Sequence, residues 1–176
     1  GRRRDGGVRD LHRHLGIVPQ QNHLFAGSIL ENIRIVKPGA DPEAVREALA
    51  RLDCLETIES IPGGIDAEVG ERGSGLSLGQ RQLICFARAL IADPRILILD
   101  EATSAIDPLT EARTQKAMRL LMAGRTCFVL AHRLSTLRHA DHLIVMGDGM
   151  VLEQGEPEAL LRTDGVFAAL WGKVEG

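Results

Sequence analysis

Tyrosine is absent from this 176-residue chain, and aromatic residues of all kinds make up only 3% of it. That argues against base stacking on aromatic platforms as a mode of binding. A formal net charge of −3 leaves no global positive field to attract nucleic acid. No apolar run reaches the roughly 18–20 residues that a membrane helix needs. No secretory leader is visible either, since the chain opens Gly-Arg-Arg-Arg. The lack of an initiator methionine points to a piece of something longer. Cysteine is sparse: Cys54, Cys85 and Cys127 are odd in number, widely spaced and set in apolar surroundings. They match no metal-binding spacing, so the expectation is reduced core thiols in a cytosolic protein. Lysine is scarcer than arginine. Of Lys37, Lys116 and Lys173, only Lys173 follows a glycine, and Val174 comes next. A GxxxxGK[ST] phosphate cradle is thereby excluded from this sequence.

What is present is a soluble domain of ordinary composition, 44% hydrophobic and 26% charged, long enough for a proper core. "LGIVPQ" (Leu15 to Gln20) reads as a short buried strand stopped by Pro19. "SILENIRIV" predicts a short helix capped by Ser28. "DPEAVREALARL" predicts a clearer one, with Asp41 as cap, Pro42 in first position and Val45, Leu49 and Leu52 on one face. A Gly-rich loop from Ile61 to Gly75 follows, of a length that only specific contacts would order. Next come a helix over about Leu78–Ala92, a strand at Ile96–Leu99, a helix over about Thr110–Met122 and a strand at Thr126–His132. A hairpin turns around Gly147-Asp148-Gly149, and two short helices near 156–162 and 164–172 close the chain. Strands alternating with helices predict an α/β fold with a parallel sheet. Ligands of such sheets sit beyond the carboxyl ends of the strands. Gln20, Asp100 with Glu101, and His132 each end a different strand, so together they define a candidate site.

The types of residue suit phosphate chemistry. "ILILDE" delivers two adjacent carboxylates from a buried strand. Asp100 in that position would hold Mg²⁺, and Glu101 would orient or deprotonate an attacking water. Gln20 could be a ligand to Mg²⁺ or to that water, and His132 could sense a γ-phosphate. Read alone, Gln20 is a turn residue and His132 an ordinary strand-end histidine. "LSLGQRQLICFARAL" (Leu76 to Leu90) holds Ser77 and, three residues on, Gln80, the spacing of a capping box. Gly79 in its first turn would leave backbone amides uncovered for an anion. Read alone, this stretch is a capped amphipathic helix with Leu83, Phe86, Ala87, Leu90 and Ile91 inward.

Taken together, these motifs resemble the nucleotide-binding domain of ABC transporters, in that family's order and over nearly the whole chain. Gln20 corresponds to the Q-loop, "LSLGQ" (Leu76 to Gln80) to the signature LSGGQ, and "ILILDE" to Walker B with the catalytic Glu101. "SAID" (Ser104 to Asp107) is similar to the D-loop, and "AHRLST" carries the H-loop His132. "AEVGERGSGLS" (Ala67 to Ser77) resembles the TEVGERG loop of the exporters. The resemblance implies a P-loop NTPase-like core, truncated at its amino terminus, with a helical subdomain at about 36–90. It implies ATP and Mg²⁺ as ligands, with Asp100 and Gln20 on the metal and Ser77, Gly79, Gln80 and Asp107 on nucleotide. It further implies a second ABC ATPase domain and transmembrane domains as partners, no nucleic acid, and a place on the cytoplasmic face of a membrane. A non-transport ABC-type ATPase and a non-catalytic remnant are the alternatives. The sequence departs from the pattern twice. Leu78 replaces the central signature glycine, and the Walker A segment is missing.

Overall fold

A computed structural model describes residues 14–101 and 107–175. The chain divides into two compact units, Gly1–Leu130 and Ala131–Gly176.

The first unit is built on a three-stranded parallel sheet of β1 (Leu15–Val18), β4 (Ile96–Asp100) and β5 (Thr126–Leu130), in the order β1-β4-β5. The acidic strand is therefore the central one. Val18 lies opposite Leu99, Leu99 opposite Val129, and Asp100 opposite Leu130, so the carboxyl ends of the strands are level. Two short strands that lie between β1 and β4 in the chain, β2 (Gly27–Ser28) and β3 (Glu68–Val69), pair antiparallel in a separate two-stranded sheet. The helices are α1 (Ile29–Arg34), α2 (Pro42–Arg51), α3 (Leu55–Glu59), α4 (Leu78–Ile91) and α5 (Pro108–Met122).

Local chemistry accounts for their limits. Asp41 accepts from the Ala44 amide at 2.8 Å and Pro42 opens α2, where a missing N–H costs nothing. Val45, Leu49 and Leu52 fall on one face, and all three are buried. The glycine-rich loop gains its order from β3: Gly27 faces Val69, Ser28 faces Glu68, and the Ile29 amide donates to Ala67 at 3.1 Å. Arg81 of α4 donates to the Arg72 carbonyl at 3.3 Å and ties the same loop to the next helix.

The sheet is covered unevenly. Val18, Leu97 and Leu99 are buried in the same core as Ile33, Leu49 and Ile84. The alternate residues point the other way, and Ile17, Phe128 and Leu130 are each more than half exposed. Parallel sheets are ordinarily covered on both faces. Here the described residues cover one.

Cys54 and Cys85 are buried free thiols, and burial pushes the Cys54 thiol up to about 12. Cys127 is only half-buried, because it sits at the rim of the core rather than inside it.

The second unit contains α6 (Leu134–Leu137), a hairpin of β6 (Leu143–Gly147) and β7 (Met150–Gly155), then α7 (Pro157–Leu161) and α8 (Val166–Glu175). Asp148 and Gly149 make its turn with φ of 49° and 76°, the left-handed region that a two-residue hairpin requires. Leu143, Leu160, Phe167 and Trp171 form a small separate core. Glu153 on β7 accepts from the Val166 and Phe167 amides, both at 2.9 Å, and so caps α8. Among the described residues no helix is long and apolar enough to cross a membrane.

Candidate functional site

Asp100 ends the central strand and is half-buried; Glu101 follows it and is 4% exposed. The ladder continues one residue past the strand, since the Glu101 amide donates to the Leu130 carbonyl at 3.1 Å. That bond fixes the backbone from which the Glu101 side chain leaves. Gln115 on α5 fixes the other end, donating from Nε2 to Glu101 Oε1 at 3.1 Å. A buried carboxylate is tolerated when hydrogen bonds replace its lost water. Sequence reading missed Gln115. Its position fourteen residues after Glu101, two turns inside a helix, was the only available signal.

Gln20 is exposed, two residues beyond the end of β1. The segment that follows it is held by a polar clasp. Asn32, 2% exposed, accepts from the Phe25 amide and donates to the Phe25 carbonyl, both at 2.9 Å. Arg88 on α4 donates to the Asn32 carbonyl at 2.9 Å and to the His23 carbonyl at 3.1 Å, and its guanidinium lies 5.7 Å from the centre of the Phe25 ring. The segment after Gln20 is thereby bonded to the helix that begins at Ser77. Neither Asn32 nor Arg88 was singled out from sequence. A buried asparagine in an apolar helix was the clue.

The capping box at Ser77 is present. Ser77 Oγ accepts from the Gln80 amide at 3.1 Å, and Gln80 Oε1 accepts from the Ser77 amide at 2.9 Å. That accounts for two of the four free amides at the start of α4. Among the described residues, the Leu78 and Gly79 amides have no acceptor. No acidic residue occupies this turn. The helix beyond it is buried on nearly every side, with Ile84, Cys85 and Ala89 joining the inward face expected from sequence. Gly79 is buried, and the side of its Cα where a side chain would stand faces Thr110 of α5.

Asp107 is the N-cap of α5, accepting from the Thr110 amide at 3.0 Å. Hydrogen bonds from the Thr110 side chain and amide hold its carboxyl below the usual range. Ser104, Ala105 and Ile106 lie outside the described residues. His132 is exposed, two residues after β5 in the chain, and belongs to the second unit. Among the described residues, no group of three His, Cys, Asp or Glu converges to hold a metal. A cavity of about 920 Å³ lined by His14, Arg51, Arg95 and Arg125 lies at the amino ends of the strands, away from Asp100.

Comparison with known proteins agrees with these motifs. The profile of the ABC transporter family matches residues 3–104. The chain belongs to the ABC transporter family.

It is 47% identical over 167 residues to the ABC transporter ATP-binding protein YknV of Bacillus subtilis, an alignment covering 95% of this chain and 28% of that protein. It is 48% identical over 167 residues to the beta-(1→2)glucan export ATP-binding/permease protein NdvA of Rhodopseudomonas palustris, with the same coverage of 95% and 28%. A solved bacterial Atm1-family ABC exporter with ATP bound superposes with a TM-score of 0.85 at 40% identity, covering 96% of this chain and 29% of that one. The fold is the ABC ATPase fold, and its relatives are exporters. The chain spans just over a quarter of the length of the relatives it matches. The chain therefore matches part of the ATP-binding region of exporter-type ABC proteins.

Proposed function

We propose that this chain supplies one part of an ATP-hydrolysing engine that drives export across a membrane. The observation that carries the reading is Glu101: a buried carboxylate at the carboxyl end of the central strand, oriented by Gln115. Such a group takes a proton from a water attacking a γ-phosphate. Asp100 and Gln20 offer hard oxygen atoms beside it, a set that suits Mg²⁺ when phosphate and water fill the remaining positions. Bound there, the ion neutralises charge on the β- and γ-phosphates. His132 contacts the γ-phosphate.

The Ser77 turn serves a second nucleotide. Its hydroxyl, the Leu78 and Gly79 amides and Gln80 meet the phosphates held by a partner ABC ATPase domain, with Asp107 at the same interface. Leu78 crowds that contact where a glycine is usual. Residues about 36–90 act as the helical subdomain that receives transmembrane domains on the cytoplasmic face of the membrane. The strand, P-loop and helix that this sequence lacks would come from residues outside it. The uncovered face around Ile17, Phe128 and Leu130 supports that reading, because it is apolar and a helix is the usual cover.

The decisive experiment uses the full-length polypeptide. Glu101→Gln keeps size and hydrogen bonding but removes the base. ATP turnover should fall roughly 10²-fold or more, while ATP binding persists and a closed dimer accumulates. Turnover at the parental rate would remove Glu101 from the mechanism. The 176-residue chain alone should neither bind ATP tightly nor hydrolyse it, for want of the P-loop.

A further inference from the structure

Gly79 lies where α4 crosses α5, and it is buried there. Its backbone is ordinary helix, so freedom of φ is not why glycine is needed. Space is the reason. A Cβ at residue 79 would overlap the Thr110 methyl, Cγ2, whereas Thr110 Cβ and Thr114 Cγ2 would stand at an ordinary 3.7 and 3.8 Å. One methyl group accounts for the whole exclusion.

That methyl is aimed. The Thr110 amide donates to Asp107 Oδ1 at 3.0 Å, and a β-branched side chain on a helix has few χ1 rotamers to choose from. Thr110 thus touches the cap of α5 with its amide and faces the first turn of α4 with its methyl. Gly79 is two residues from Ser77, and Asp107 is the residue at which α5 begins.

We infer that Thr110 is a positioning residue that sets the separation between the Ser77 turn and Asp107, so that the two move as one edge. The inference rests on the reading of that edge as the face toward a partner's nucleotide. Its physical content is a spacer: a bare Cα on one helix seats one methyl from the next, and the few χ1 rotamers open to a β-branched residue on a helix keep the methyl in place. An extra methyl at residue 79 would push the Ser77 turn outward, because close-packed interiors leave no slack.

The test is a rescue cycle. Gly79→Ala, Thr110→Ser, Gly79→Ala with Thr110→Ser, and Gly79→Ala with Thr110→Val are made in the 176-residue chain for melting and in the full-length polypeptide for ATP-dependent dimerisation. Gly79→Ala should lower the melting temperature by roughly 3–10 °C, the shift expected of overpacking in a chain of this size. It should weaken ATP-dependent dimerisation by about tenfold or more. Thr110→Ser deletes the offending methyl and keeps the hydroxyl, so the double variant should recover most of both losses. The Thr110→Val double variant keeps a methyl and loses the hydroxyl, and should recover less. Parental behaviour in Gly79→Ala, or a serine double variant no better than Gly79→Ala, overturns the inference. Recovery of melting without recovery of dimerisation also overturns it, since the loss of dimerisation would then not run through the Thr110 contact. If the parental full-length polypeptide forms no ATP-dependent dimer, the functional reading falls, and the melting cycle still decides the packing contact by itself.

Discussion

Two helices in this chain begin with the same four-residue device. At α1, Ser28 Oγ accepts from the Glu31 amide at 3.1 Å and Glu31 Oε2 accepts from the Ser28 amide at 3.0 Å. At α4, Ser77 and Gln80 repeat the pattern at 3.1 and 2.9 Å. Their surroundings differ. The Ile29 amide, first in α1, is taken by the Ala67 carbonyl at 3.1 Å, and the turn carries the charge of Glu31. The corresponding Leu78 amide has no acceptor among the described residues, and Gln80 is neutral. In one box the neighbouring backbone takes the first helical amide and a carboxylate guards the turn. The other leaves two amides and the positive end of a fourteen-residue helix toward an anion. The same local signal therefore marks a structural cap in one place and a candidate phosphate contact in the other. What separates them is what the neighbouring strand does.

Arginine substitution should break the comparison most visibly. Ser77→Arg removes a cap and places a large side chain on the proposed interface. ATP turnover and dimerisation of the full-length polypeptide should drop by about tenfold or more. Ser28→Arg removes an equivalent cap and should cost about 1 kcal/mol of stability, with dimerisation unchanged once melting is allowed for. Equal effects on dimerisation from both would show that Ser77 is only a cap.

Exchanging the third residues is a finer probe. Gln80→Glu preserves the box and adds a carboxylate near the positive helix end, so the fold should gain about 0.3–1 kcal/mol. Nucleotide-dependent dimerisation should nonetheless weaken, because the new charge repels phosphate. Glu31→Gln should lose a similar few tenths of a kcal/mol and leave nucleotide behaviour alone. Opposite signs for stability and dimerisation in Gln80→Glu are the expected signature, best seen by melting and dimerisation on the same samples.

The smallest effect belongs to another cap, Asp107. Its carboxyl is held below the ordinary carboxylate range by hydrogen bonds from Thr110. A lowered folded-state pKa means that the unfolded chain binds the proton first. The stabilisation is therefore complete above the ordinary carboxylate range and disappears as pH falls through the lower folded value. Asp107→Asn can still cap α5 but cannot titrate. Below the ordinary range its melting temperature should fall less steeply with pH than the parent's. Parallel acid limbs would exclude Asp107 as a contributor.

Most of this architecture was legible before any coordinates, and the residues show why. Asp41-Pro42, Ser28–Glu31 and Ser77–Gln80 are caps whose bonds run within one turn, so the sequence states them directly. "ILILDE" is an apolar run ended by acid, and it became the central strand with Glu101 at its end. The family was equally legible, because its motifs are contiguous. The loop at 61–75 was recognised only as needing contacts. Those contacts came from Gly27 and Ser28, some forty residues away.

Sequence alone therefore determined the alternating α/β plan, the caps and the order of the phosphate motifs, because each depends on residues within a turn or a strand of one another. Only the tertiary structure decided that β4 is central, that Gln115 holds Glu101, that Arg88 and Asn32 clasp the segment after Gln20, and that Gly79 seats the Thr110 methyl. These are contacts between side chains or backbones far apart in the chain. Close packing, rather than any local preference, selects which of them meet.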